Sequence, residues 1–382
     1  MSMNRLQALH DAGQSIWLDF IDRTMLFDGD LDRRIRDDSL TGMTSNPTIF
    51  EKALAEGTEY DSQLAGAPAD LTPWQLFELI ATDDVRTACD HFAPVYEATS
   101  GHDGFVSIEV SPGAADDTEK TIAEAERLWR AVDRPNVMIK VPGTRAGAAA
   151  VRRLIAAGVN VNITLLFSLD AHRSVIEAYQ SGLEDRLARR EPIDRIASVA
   201  SFFVSRVDTE VDRRLDAAIA KGPSEESTRL RSLKGTVAIA NAKLAYALFR
   251  EQFSGERWEA LARAGAQVQR PLWASTSTKN PAYRDVMYVE QLIGTDTVNT
   301  MTPATIDAFR DHGVVTLTAG DEVESARNWI ADLESAGISL ESVTGQLLVD
   351  GLASFTKSFD SLLRGLERKV HSLRGELAGR AG

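Results

Sequence analysis

The chain of 382 residues has a single cysteine, Cys89, so it has no internal disulfide and is not a disulfide-stapled scaffold. No stretch approaches the roughly 18 uncharged apolar residues that a membrane helix needs. The segment MSMNRLQALHDAG lacks the apolar core of a signal peptide, and the expected location is the cytoplasm. Basic residues are in deficit. With 42 Lys+Arg against 56 Asp+Glu the net charge is −14, which argues against a nucleic-acid partner, because phosphate-backbone affinity rests on an excess of Lys and Arg. Phosphate-loop and cofactor signatures are missing: there is no GxxxxGK followed by Ser or Thr, no GxGxxG after a strand and no GxSxG elbow. The six histidines (His10, His91, His102, His172, His312 and His371) never fall within four residues of one another. Nothing in that spacing supports a metal site, and neither a metal nor a cofactor is expected.

What is present is an alternation. Eight short apolar runs occur near residues 15–20, 39–44, 105–110, 136–142, 159–164, 196–203, 271–276 and 296–301. Between them lie helical patterns such as Ile122, Ala125, Leu128, Trp129 and Val237, Ala240, Leu244, Leu248. Strand and helix in turn imply a parallel sheet with right-handed crossovers. Periodicity alone leaves open both an open doubly wound sheet and a closed barrel. The count of eight fits an α/β fold of the (β/α)8 TIM-barrel type, which commonly runs to this length as one unit. No repeat or low-complexity linker interrupts residues 1–382, so a single domain is expected, with KGPSEEST at 221–228 as its one loop-like polar stretch. Residues from about 315 to 382 read as a helical extension. In it Leu348, Leu352, Phe355, Phe359, Leu362, Leu366, Val370, Leu373 and Leu377 recur every three or four positions. Gly351, Gly365 and Gly375 lower its helix propensity, which favours packing on the barrel over a coiled coil. Monomer and homodimer both remain open.

Polar residues interrupt the apolar runs where a core strand would not tolerate them cheaply. Of nine lysines, only Lys140 lies inside a run such as VMIKVP. A buried, unpaired ammonium costs several kcal/mol. Such a lysine is either half of a structural ion pair or an amine whose charged form is disfavoured, able to attack a carbonyl and form a Schiff base. Asp19 follows Ile16–Trp17–Leu18, Glu109 shares parity with Ser107, and Thr164 shares it with Asn160 and Asn162. Each falls at the C-terminal end of its strand, where barrel enzymes place their active sites. One amine, two carboxylates, amides and hydroxyls at that end suit carbonyl chemistry with proton transfer.

The segments GMTSNPTIF, VSIEVSP, NVMIKVPGT, NVNITLLFS, SVASFFVSRVD and PLWASTSTKNP, in this order and spacing, resemble the transaldolase family over residues 15 to 303. The resemblance implies a metal-free Schiff-base enzyme on an α/β barrel. Its substrates would be sugar phosphates: a dihydroxyacetone unit passes from sedoheptulose 7-phosphate to glyceraldehyde 3-phosphate, giving erythrose 4-phosphate and fructose 6-phosphate in the pentose phosphate pathway. It implies that Lys140 is the Schiff-base lysine, that Glu109 and Thr164 hold a proton-shuttling water, and that Asp19 takes the C4 hydroxyl proton. Asn46, Asn162 and Ser201 would bind substrate hydroxyls, and Arg206 would bind phosphate. Many relatives end the seventh strand in Ser-x-Arg-Asn. Here it reads Ser275-Thr276-Ser277-Thr278-Lys279-Asn280, with Lys279 in the arginine's place and Ser275 and Ser277 as rival donors. Two other functions are weighed. Fructose 6-phosphate aldolase-like relatives are much shorter and carry a tyrosine where this chain has Phe203. A non-catalytic phosphosugar-binding barrel would have no need of an amine among Val137, Met138, Ile139 and Val141.

Overall fold

A computed structural model describes residues 4–220 and 224–380. All eight expected strands are present: β1 (Gln14–Asp19), β2 (Leu40–Thr44), β3 (Phe105–Glu109), β4 (Val137–Pro142), β5 (Val161–Leu166), β6 (Ser198–Phe203), β7 (Arg270–Ala274) and β8 (Thr297–Met301). Each pairs in parallel with the next, and β8 closes on β1. This is a (β/α)8 barrel; the open-sheet alternative is excluded.

The crossover helices begin where the sequence supplies caps. Thr144 and Ser168 accept backbone N–H bonds at the starts of Arg145–Ala157 and Leu169–Ala188, and Asn46 does so for Pro47–Glu56, where proline takes the first helical position. Inside the barrel, alternate side chains of each strand form layers. Trp17, Phe105, Met138, Val199, Leu272 and Val298 fill the middle. β2 passes this plug only because it carries Gly42, where a Cβ would lie 2.5 Å from the Trp17 Nε1. Below it, Arg270 donates to the Ser15 Oγ (2.6 Å) and Trp17 Nε1 to the Asp103 Oδ1 (2.8 Å), closing the N-terminal end. Inward polar groups above the plug therefore face only the C-terminal mouth.

Helix Val323–Ser335 and the C-terminal helix Leu340–Arg380 follow the barrel. The latter lies across helices Pro47–Glu56, Pro73–Ala98 and Ser205–Ile219. Phe359 stacks near Trp74 and Phe77, with centroids 5.1 and 5.8 Å away, and Leu362, Leu366 and Val370 are buried. Leu348, Leu352, Phe355 and Leu373 are only partly buried, and the Leu377 side chain lies outside the described residues. Lys369 Nζ donates to the carbonyls of Leu54 (3.0 Å) and Gly57 and pairs with Asp61 at 2.9 Å, capping the end of Pro47–Glu56. One expectation needs correcting. The 221–228 stretch is not all loop, because helix Ser224–Ser232 begins within it; residues 221–223, Lys221 among them, lie outside the described set. Among the described residues no helix is long and apolar enough to cross a membrane.

Candidate active site

The C-terminal mouth holds a cavity of about 720 Å³ whose wall includes Asp19, Asn46, Glu109, Lys140, Thr164, Ser201, Phe203, Arg206, Ser277 and Lys279. Strand register brings the first of these together: Glu109 lies beside Lys140, Lys140 beside Asn162, and Pro142 beside Thr164. Lys140, 8% exposed, donates to the Ser45 carbonyl at 3.2 Å and lies 3.3 Å from the Glu109 Oε2. It has the ion-pair partner that a structural lysine would have, yet it also lines the cavity. Lys243 makes the contrast. It is more deeply buried, at 1% exposure, and pairs with Glu322 at 3.1 Å on helix Val237–Gln252, away from the cavity wall. Helical spacing hid that burial from sequence reasoning.

Asp19 accepts a 2.9 Å bond from the Thr44 hydroxyl, which lies 2.7 Å from the Thr300 hydroxyl. Because Thr44 has one proton and spends it on Asp19, Thr300 is the donor of that second bond. The relay holds the Asp19 carboxylate in place through its Oδ1. Burial pushes the carboxyls of both Asp19 and Glu109 above their ordinary values, and the Lys140 ammonium pulls both part of the way back. Sequence reasoning missed Thr44 and Thr300, although each has the inward parity of its strand.

Asn162 stands behind the wall. It donates to the Ser107 Oγ (3.0 Å) and accepts from the Ser201 Oγ (2.7 Å), so Ser201 is the hydroxyl on the cavity and Asn162 orients it. The bond leaves the Ser201 lone pairs free to accept. Asn160, on the same parity, is farther down and bonds the backbone at Pro135, Val137 and Ala197. The Asn46 Oδ1 is engaged by the Ile49 N–H at 3.1 Å, leaving its amide N–H groups for the cavity.

The β6–β7 side is cationic. Arg206 is in the first turn of Ser205–Ile219, 4.9 Å from the Phe203 ring centroid, and burial works against its charge. Ser275 leaves β7 in a left-handed conformation (φ 58°), which brings its Oγ to 2.9 Å from the Ser205 Oγ. Lys279, exposed, donates to the Ser277 Oγ at 2.8 Å. An arginine, a lysine and two hydroxyls thus line this side of the cavity, groups of the kind that bind an oxyanion. Much of the rest of the wall comes from the β1–β2 and β2–β3 connections, which bring Arg23, Lys52 and Tyr60, and from the C-terminal helix, through Gly351, Ser354, Phe355 and Ser358; the Thr48 hydroxyl meets the Ser358 Oγ at 3.0 Å. No local signal in the sequence marks these helix residues, because their place depends on contacts some 300 positions away.

Comparison with known proteins agrees with this architecture. A family model described as transaldolase/fructose-6-phosphate aldolase matches residues 16–366. Transaldolase 2 of Nostoc sp. strain PCC 7120 is 47% identical over 378 residues, covering 98% of this chain and 99% of that protein. The transaldolase of Thermobifida fusca is 49% identical over 363 residues, covering 94% and 96%. The chain belongs to the transaldolase/fructose-6-phosphate aldolase family. The cavity over Lys140, about 720 Å³, is large enough to take a small phosphorylated molecule. Among the described residues no group of three or more His, Cys, Asp or Glu is arranged to hold a metal ion.

Proposed function

We propose that this protein is a transaldolase that transfers a dihydroxyacetone unit from a ketose phosphate such as sedoheptulose 7-phosphate to glyceraldehyde 3-phosphate. The contact between Lys140 and Glu109 beneath the cavity carries this reading, supported by near full-length identity to transaldolases.

The Lys140 amine adds to the ketose C2, and loss of water gives a protonated Schiff base. Glu109, with its raised pKa, and the Thr164 hydroxyl hold the water that moves protons during addition and dehydration. Asp19, oriented by Thr44, takes the C4 hydroxyl proton; the C3–C4 bond breaks, and its electrons flow into the iminium. The enamine left on Lys140 is held by Ser201 and Asn46 until the acceptor aldehyde arrives, and Arg206, Ser275, Ser277 and Lys279 bind the phosphate. Transfer is favoured over fructose 6-phosphate aldolase-like release by Phe203. Its ring packs against Phe167 at 5.3 Å and beneath Arg206, and it offers no hydroxyl to steer water onto the enamine.

Incubation with fructose 6-phosphate and a metal chelator, then borohydride reduction and peptide mapping, is expected to give one adduct, on Lys140. An adduct on an exposed lysine, or none, would overturn the Schiff-base assignment. Fast dihydroxyacetone release without an acceptor would instead favour the aldolase reading.

A further inference from the structure

The helix that carries Arg206 also carries Asp208 and Asp212, both buried and neither facing the cavity. Asp208 accepts from the Ala238 N–H (2.7 Å) and from the Tyr288 hydroxyl (2.9 Å). Asp212 accepts from the Gly235 N–H (3.2 Å) and from the Tyr283 hydroxyl. Both tyrosines belong to the β7–β8 connection, the segment that presents Ser277 and Lys279. Burial raises both carboxyls, Asp208 to about 7, so these acids are kept in place at a cost to their charged forms.

The connection is tied down at its start and again from Tyr283 onward, where Arg284 donates to the His312 carbonyl at 2.8 Å and the Asp285 Oδ1 lies 2.8 Å from the His312 Nε2. At its start Thr276 donates to the Asn299 Oδ1 at 2.8 Å, and Ser275 meets Ser205. From 277 to 282 the hydrogen bonds among the described residues stay within the segment: Lys279 to Ser277, and the N–H groups of Ala282 and Tyr283 to Asn280. The next anchor to the barrel is Tyr283. We propose that Asp212–Tyr283 and Asp208–Tyr288 form a clamp that sets Lys279 and Ser277 at a fixed distance from Arg206, making these four positioning residues for the substrate's phosphate. The clamp rests on the proposed function, since it needs a phosphate to be bound there. It ties the connection that carries Ser277 and Lys279 to the helix that carries Arg206, so its loss changes affinity for the phosphate and leaves the lysine chemistry alone.

The variant of choice is Tyr283→Phe, which removes one hydroxyl and keeps the ring; changes at Asp208 would also uncap Val237–Gln252 and endanger folding. With erythrose 4-phosphate as acceptor, KM for fructose 6-phosphate should rise three- to tenfold with kcat within twofold. KM for unphosphorylated fructose should not move, and the inhibition constant of inorganic phosphate should rise by the same factor. In a Lys279→Ala background, Tyr283→Phe should raise KM by a clearly smaller factor than in the wild type, since only Ser277 is left to be displaced. An unchanged phosphate inhibition constant, an equal rise for fructose, or full additivity with Lys279→Ala would overturn the clamp. If the wild-type protein is not inhibited by phosphate and does not prefer fructose 6-phosphate to fructose, the phosphate-binding reading itself fails, an outcome visible before any variant is made.

Discussion

Asp19 shows how one side chain combines chemistry and cost. Its carboxyl sits above the ordinary value of 3.8 because burial disfavours the charge. Between that value and the higher folded pKa, the folded state binds more protons than the unfolded chain, so this group's contribution to stability falls as pH rises through the window. Asp19→Asn should therefore gain in melting temperature relative to the wild type as pH is raised above about 4, measured by calorimetry across a pH series. The same variant should still form a borohydride-trappable imine but cleave about 10²- to 10⁴-fold more slowly, as expected for loss of a general base. Unchanged cleavage would remove Asp19 from the reaction. Glu109→Gln should act at the other end, slowing imine formation in a single-turnover trap.

At the scale of elements, the C-terminal helix is both packing and wall. A Cβ at Gly351 would lie 3.1 Å from the Leu165 Cδ2 and 3.9 Å from the Arg206 Nη1, and Leu165 is itself held at φ 61°. Gly351→Leu should fill the cavity beside Arg206 and raise KM for phosphorylated substrates at least tenfold. Gly345→Ala has open space on the same helix; it should leave kinetics alone and stabilise by about 1 kcal/mol, the helix-propensity difference, read from denaturant unfolding. The strands themselves were readable, since fully buried parallel strands are apolar runs and the functional ones betray themselves by an interrupting Lys140, Asp19 or Glu109. Their inward parity then grouped the site. What could not be read was depth and distance. Asn162 has the parity of a wall residue but sits one layer back, Lys243 is buried on a helix without breaking any pattern, and Ser354 and Ser358 reach the cavity only through long-range packing.

For the whole molecule, Cys89 is a reporter. It is fully buried on helix Pro73–Ala98, and loss of solvent pushes its thiol pKa up. Native protein should not react with a chromogenic disulfide reagent, whereas one thiol per chain should react in denaturant, so the rate of modification follows global opening. Prompt reaction under native conditions would show that this helix opens on its own. The C-terminal helix bonds Thr48 through Ser358 and Glu51 through Ser361, contacts that join residues 310 positions apart. Synthesis is directional, and domains begin to fold from the N-terminal side while the ribosome is still working. The eight strands leave the ribosome before Gly351 and Ser358 do, so a nascent chain can close its barrel while the wall of its cavity is still missing. Competence for sugar phosphates thus waits until the residues around Gly351 and Ser358 have been made.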